Sequence, residues 1–248
     1  MGYDNGVAYN LLTLLGINYF LYSRDYSMKR LKFVYYYDYF FITPRINIFN
    51  LISLISIFII GSATGSLIIC IFIILVNVGY LLKIEYNPWI FFTLYIILFF
   101  MIIMSNDQSA LITSLTEAMG RDGGFTGRSL LWKKAVELIL QKPFLGWGNN
   151  SDIIEVWGSL FSAHNQILDL VLRGGFLTLL FYLALQAYTF FLLKKNQLQT
   201  SNVLLIVNFC FLLGGLMEAG IRPVQFIFLA LTITPYYEQN IRKRSTND

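Results

Sequence analysis

Seven blocks of this chain, about Val7–Tyr22, Ile46–Ile60, Ser66–Leu82, Trp89–Met104, His164–Leu193, Ser201–Leu216 and Pro223–Tyr237, are nearly free of charge and rich in Ile, Leu, Phe and Val. Such blocks approach or exceed the length a helix needs to cross a hydrocarbon layer about 30 Å thick. In lipid they must be helical, because no water is present to satisfy the backbone. With 56% of 248 residues hydrophobic and 13% charged, the chain has more apolar surface than a soluble core could absorb. It reads as an all-α integral membrane protein with about seven transmembrane helices. The first block lacks the basic start and small-residue cleavage site of a secretory signal, so it reads as a span. The stretch Phe33–Phe41 (FVYYYDYFF) is too polar for a span and suits the membrane surface.

The net charge of +4 sits in short clusters between the apolar blocks, the pattern of membrane orientation signals rather than of a nucleic-acid surface. Arg24, Lys29, Arg30, Lys32 and Arg45 fall in one short loop, Lys83 in a second, Lys194 and Lys195 in a third, and Arg242, Lys243 and Arg244 in the tail. Seven spans put all of these on one side, which is then cytoplasmic. The turn Gly61–Gly65, the long segment Ser105–Ala163 and the turn Glu218–Arg222 face outward. The chain forms a single polytopic domain, residues 1–248, with 105–163 as its outward loop. That loop carries Arg121, Arg128, Lys133, Lys134 and Lys142 against the orientation rule, and cations in such number invite a functional explanation.

Cys70 and Cys210 lie inside apolar runs without metal-ligand spacing, and the chain has one histidine, so neither a redox nor a metal cofactor is implied. In the outward loop, Thr126-Gly127-Arg128-Ser129 introduces a helical pattern. Leu131, Ala135, Leu138 and Ile139 share one face of it, Lys133, Lys134 and Glu137 point elsewhere, and Pro143 closes it. Lying on the bilayer with Trp132 near headgroup level, this amphipathic helix would suit an anionic headgroup; the plainer reading is a helix that plugs the loop against the membrane. Lys142-Pro143-Phe144-Leu145-Gly146-Trp147-Gly148 follows, a tight turn without the glycine spacing of a nucleotide site.

His164-Asn165 opens the next span at the outer boundary. A lone histidine is more often structural, yet this is where a general base would receive a proton from a hydroxyl delivered at the outer surface. Asp169 and Arg173 are four residues apart and can meet on one helix face, and Glu218 and Arg222 repeat that spacing. Ionisable groups within a span are functional candidates by default, with mutual neutralisation as the competing explanation.

The run TGRSLLWKKAVELILQKPFLGWG (Thr126–Gly148) followed by HNQILDLVLRGGF (His164–Phe176) resembles the signature of the O-antigen ligase and polymerase family. In that family a Gly-Arg leads an amphipathic helix with a Trp, a Pro-x-x-Gly-x-Gly turn follows, and His-Asn opens a span ending in glycine. The resemblance reaches back to Ser62-Ala63-Thr64-Gly65 and forward to Glu218. It implies a metal-independent membrane glycosyltransferase without cofactors, in a bacterial plasma membrane, acting on an undecaprenyl-diphosphate-linked oligosaccharide at the outer face. A flippase and a chain-length regulator would be its companions, and nucleic acid has no part. Thr64 stands where the family often has an Arg thought to bind diphosphate, and Arg173 where an acidic residue is common. Members usually have ten or more spans, so the chain is expected to lack N-terminal spans.

The chemistry fits the residues on its own terms. A sugar hydroxyl that attacks an anomeric carbon bearing a lipid diphosphate must lose a proton, and the departing diphosphate needs cations. His164 supplies the base. Arg128 with Lys133 or Lys134 supplies the charge, with Arg173 or Arg222 substituting for the cation missing at Thr64; Asn165, Asp169 and Glu218 orient acceptor or ring. The expected function is a polymerase of cell-surface polysaccharide, of capsule, exopolysaccharide or O-antigen type, and the alternative enzyme is a ligase. A transporter would show broken or repeated spans lining a midplane site, and neither is legible here. The short length leaves a non-catalytic remnant as a further reading.

Overall fold

The computed structural model describes residues 3–28, 44–104, 126–149, 153–156, 158–195, 199–219 and 222–235. Among them the chain is mostly helical, with α1 (Tyr3–Met28), α2 (Pro44–Ile60), α3 (Ala63–Leu82), α4 (Pro88–Met104), α5 (Thr126–Gln141), α6 (Gln166–Lys195), α7 (Gln199–Gly215) and α8 (Pro223–Leu231). Every apolar block of the sequence coincides with one of these helices, and α5 is the helix of the loop. By length and composition α3 and α6 can cross a membrane, while α2, α4, α7 and the stretch from Pro223 to Pro235 are shorter apolar helices. Phe33–Phe41, Arg121 and the basic tail lie outside the described residues.

Local chemistry sets the helix boundaries. Pro44, Pro88 and Pro223 each take the first position of a helix, where the missing N–H would have had no intrahelical partner. Ser62 caps α3 by accepting from Gly65 N at 3.0 Å, and Lys83, left-handed at φ 51, ends it with its N–H on the Gly79 carbonyl. An all-helical reading has no place for the antiparallel hairpin of β1 (Ile154–Val156) and β2 (Ser159–Phe161), in which Ile154 pairs Phe161 and Val156 pairs Ser159. Gly158 at φ +74 serves its turn.

The chain divides into two compact units. The first comprises Met1–Phe91, Thr189–Phe211 and Pro223–Asp248. In it the Tyr19 hydroxyl accepts from Asn50 Nδ2 at 2.7 Å and Asn77 Nδ2 at 3.0 Å, so one phenol ties α1, α2 and α3 together. Polar contacts of this kind serve where lipid offers helices no hydrophobic drive to associate. Gly65 lets α3 close on Ala8 and Ile57, small-residue packing of the same logic.

The second unit comprises Phe92–Tyr188 and Leu212–Arg222. Its core is built from Leu131, Trp132, Ala135 and Ile139 of α5, Ile154 and Val156 of β1, and Ala163, Leu168, Val171 and Leu172 around the head of α6. Contrary to the unbroken span expected from sequence, α6 is interrupted at Gly175 (φ 67, ψ −173). An interruption strips nearby carbonyls of their helical donors, which lipid would not replace. The turn after α5 supplies two donors and an acceptor: Trp147 N donates to Leu172 O at 2.8 Å and Gly148 N to Arg173 O at 2.9 Å, while the Pro143 carbonyl accepts from Phe176 N at 2.7 Å. The two backbones touch at glycines. A Cβ on Gly146 (φ +65) would lie 2.5 Å from the Arg173 carbonyl, and one on Gly175 would collide with the Phe144 carbonyl.

This staple ranks three substitutions. Gly148→Ala, at φ +83 with nothing within 4 Å, should cost only the left-handed penalty of about 1–2 kcal/mol. Gly146→Ala and Gly175→Ala must also push two backbones apart and should lower thermal stability in detergent far more. Equal losses in all three would contradict the staple.

Candidate active site

Arg128 lies in the first turn of α5. At about 100° per residue, Trp132, Ala135 and Ile139 fall within about 40° of its direction, whereas Lys133 and Lys134 point at least about 120° away. The structure follows that geometry: Trp132, Ala135 and Ile139 are buried, and Lys133, Lys134 and Glu137 are exposed. Arg128 approaches Glu218, with NH2 to Oε1 at 3.7 Å and side chains 29% and 11% exposed. Lys133 and Lys134 therefore do not share the face on which Arg128 meets a partner. Two expectations for this helix are corrected. Its apolar face is covered by the hairpin and the head of α6, not by lipid, and Trp132 is a core residue whose Nε1 donates to the Ala163 carbonyl at 3.0 Å.

That bond fixes the carbonyl before His164, and the residue after it is fixed as firmly. Asn165 caps α6, its Oδ1 accepting from Ile167 N at 3.0 Å and Leu168 N at 3.1 Å, while its Nδ2 donates to the Leu216 carbonyl at 3.0 Å. With 0% of its surface exposed, Asn165 turns to backbone rather than to an acceptor sugar or the imidazole. Gly215 leaves room for the Gln166 side chain beside this contact. Between the two pinned neighbours His164 is held at φ 44, a left-handed conformation that persists in a non-glycine residue only where the surroundings over-determine it. Its ring is half-buried and its Nδ1 buried.

These contacts close on themselves. Arg128 reaches Glu218, Leu216 two residues earlier holds Asn165, His164 precedes Asn165, Ala163 is bound by Trp132, and Trp132 lies one helical turn from Arg128. The single histidine, a buried carboxylate and a cation are thus brought into one neighbourhood. Beyond the circuit, Arg173 Nε lies 2.9 Å from Asp169 Oδ2, NH2 donates to Oδ1 at 3.3 Å, and NH1 reaches Asn149 Oδ1 at 3.4 Å. The spacing of Asp169 and Arg173 gives the expected contact. Glu218 and Arg222 share no helix face, because α7 ends at Gly215 and α8 begins only at Pro223. Arg222 stands half-buried just before α8.

Sequence reasoning missed Trp132 as an anchor, Asn149 as a partner of Arg173, and the meeting of Arg128 with Glu218. Nothing in the local pattern signals the last, since the two are 90 residues apart.

The described residues are mostly helical, two of the helices are long and apolar enough to cross a bilayer, and the second unit carries two half-buried ion pairs, features consistent with an all-α membrane protein. A family model described as O-antigen ligase matches residues 48–183, more than half of the chain, and the protein belongs to that family. Membership brings a membrane location and an activity of ligase or polymerase type. No curated protein and no solved structure matches the chain.

Proposed function

We propose that this protein is a polysaccharide polymerase that transfers a glycan from undecaprenyl diphosphate to the terminal hydroxyl of a lipid-linked repeat unit. In this reading seven spans cross the plasma membrane, with the loop carrying α5 and the hairpin on the outer side. An impermeant thiol reagent added to intact cells should then label Lys134→Cys, which lies on the exposed face of α5, and spare Lys195→Cys. The reverse pattern would invert the topology.

In the proposed reaction the acceptor oxygen bonds to the anomeric carbon of the donor as the bond from that carbon to the diphosphate oxygen breaks. The acceptor proton passes to His164, and the diphosphate leaves with the bonding pair. In this reading Arg128 and Arg173 meet that charge, supported by their ion pairs with Glu218 and Asp169. Arg222 is a further candidate, and Lys133 and Lys134, on the exposed face of α5, serve anionic headgroups instead. The carboxylates hold the guanidinium groups in place before substrate arrives. A ligase would use the same chemistry with a different acceptor.

The observation that carries this reading is His164 itself, held left-handed between Ala163 and Asn165. Proton removal by a positioned base contributes about 10²–10⁴-fold. His164→Ala and His164→Gln should both abolish long polymer in cells and leave lipid-linked repeat units accumulating, at normal protein level. A glutamine keeps volume and polarity but cannot act as a base, so near-normal polymer from His164→Gln would make position 164 a helix-start residue and sink the mechanism.

A further inference from the structure

Three large apolar side chains stand out from the loop unit: Leu140 near the end of α5, and Phe144 and Leu145 in the turn, are 70%, 75% and 75% exposed. None belongs to the covered face of α5, and each is costly to leave in water. Phe176 N donates to the Pro143 carbonyl and Gly175 packs on the Phe144 carbonyl, so the turn sits at the point where α6 resumes after its break. From that point α6 presents Phe176, Leu180 and Phe181 outward. It then runs to Leu193 without a charged residue before Lys194 and Lys195. The eighteen residues Phe176–Leu193, at 1.5 Å each, give about 27 Å, close to the thickness of the hydrocarbon layer. The exposed turn is therefore continuous with the apolar flank of a helix long enough to span that layer. Lys142, with Nζ 4.0 Å from the centre of the Trp147 ring, brackets the tip with the residue pair favoured at membrane interfaces.

We propose that Leu140, Phe144 and Leu145 form a wedge inserted among the acyl chains of the outer leaflet, and that the break at Gly175 marks the outer edge of the hydrocarbon. The eight residues Gln166–Arg173 then rise by up to about 12 Å above that edge. Asp169, Arg173 and His164 come to stand at headgroup level, the level of a lipid-borne diphosphate. This last step rests on the function proposed above, whereas the wedge does not. The broken helix thus has a use unrelated to transport: it carries the polar site out of the apolar layer while the staple keeps the backbone satisfied.

The test measures depth directly. With Cys70 and Cys210 replaced by alanine, single cysteines at Phe144, Leu145 and Lys134 are labelled with an environment-sensitive fluorophore, and the protein is placed in lipid nanodiscs. Phospholipids brominated on the acyl chain should quench the labels at 144 and 145 several-fold more strongly than the label at 134, and aqueous iodide should do the reverse. Iodide quenching at 144 equal to that at 134 would place the turn in water. Weak quenching by both agents would mean that protein covers it, and either result overturns the wedge. Repeating the measurement in the His164→Ala background separates the two proposals, because depth should not change when catalysis is lost.

Discussion

Asn165 has no exposed surface, and both polar atoms of its side chain are bound to backbone, Oδ1 to two amides at the start of α6 and Nδ2 to the Leu216 carbonyl. One amide therefore does two things that different residues usually do. It terminates a helix, worth about 1 kcal/mol at such positions, and it joins that helix to a segment 51 residues further along the chain. The contact of Arg128 with Glu218 and the backbone of His164 both adjoin this junction. Glu218, two residues after the held Leu216, meets Arg128, and left-handed His164 lies between the capping Asn165 and the Trp132–Ala163 bond. Asn165, expected to orient acceptor or ring, is bound to backbone on both sides.

A second constraint comes from the solvent. A membrane helix cannot be broken without replacing the donors its carbonyls lose. The chain meets that requirement with a turn whose glycines have no side chains to hold two backbones apart. The Pro-x-x-Gly-x-Gly turn and the Arg-Gly-Gly at the break are thus one object, although 24 residues separate Asn149 from the Arg173 it contacts. The staple fixes the end of the helical segment that carries Asp169 and Arg173, so the geometry of that ion pair depends on backbone contacts outside it.

The helices were legible because lipid leaves one solution to long apolar runs, and each block chosen by hydropathy coincides with a helix. The buried face of α5 was legible too, since a period of 3.6 does not depend on what covers it. What covers it was not: lipid and a protein core select the same amphipathic pattern, which is why Trp132 reads as interfacial in the sequence and is buried in the fold. Three-residue strands are too short to carry a period, so the hairpin left no trace. The spacing of Glu218 and Arg222 suggested a helical pair only under the assumption that α7 continues past Gly215, and it does not.

The central claim is that this chain, through its own side chains, moves a glycan off a lipid diphosphate. The direct measurement is to reconstitute the purified protein in proteoliposomes with an undecaprenyl-diphosphate-linked repeat unit and excess metal chelator, and to follow lipid-linked glycan length and free undecaprenyl diphosphate together. Lipid-linked glycans should lengthen with one undecaprenyl diphosphate released for each linkage formed, and His164→Gln should give no product. A substrate that stays intact with chelator present and is consumed only when divalent cation is restored would contradict that claim.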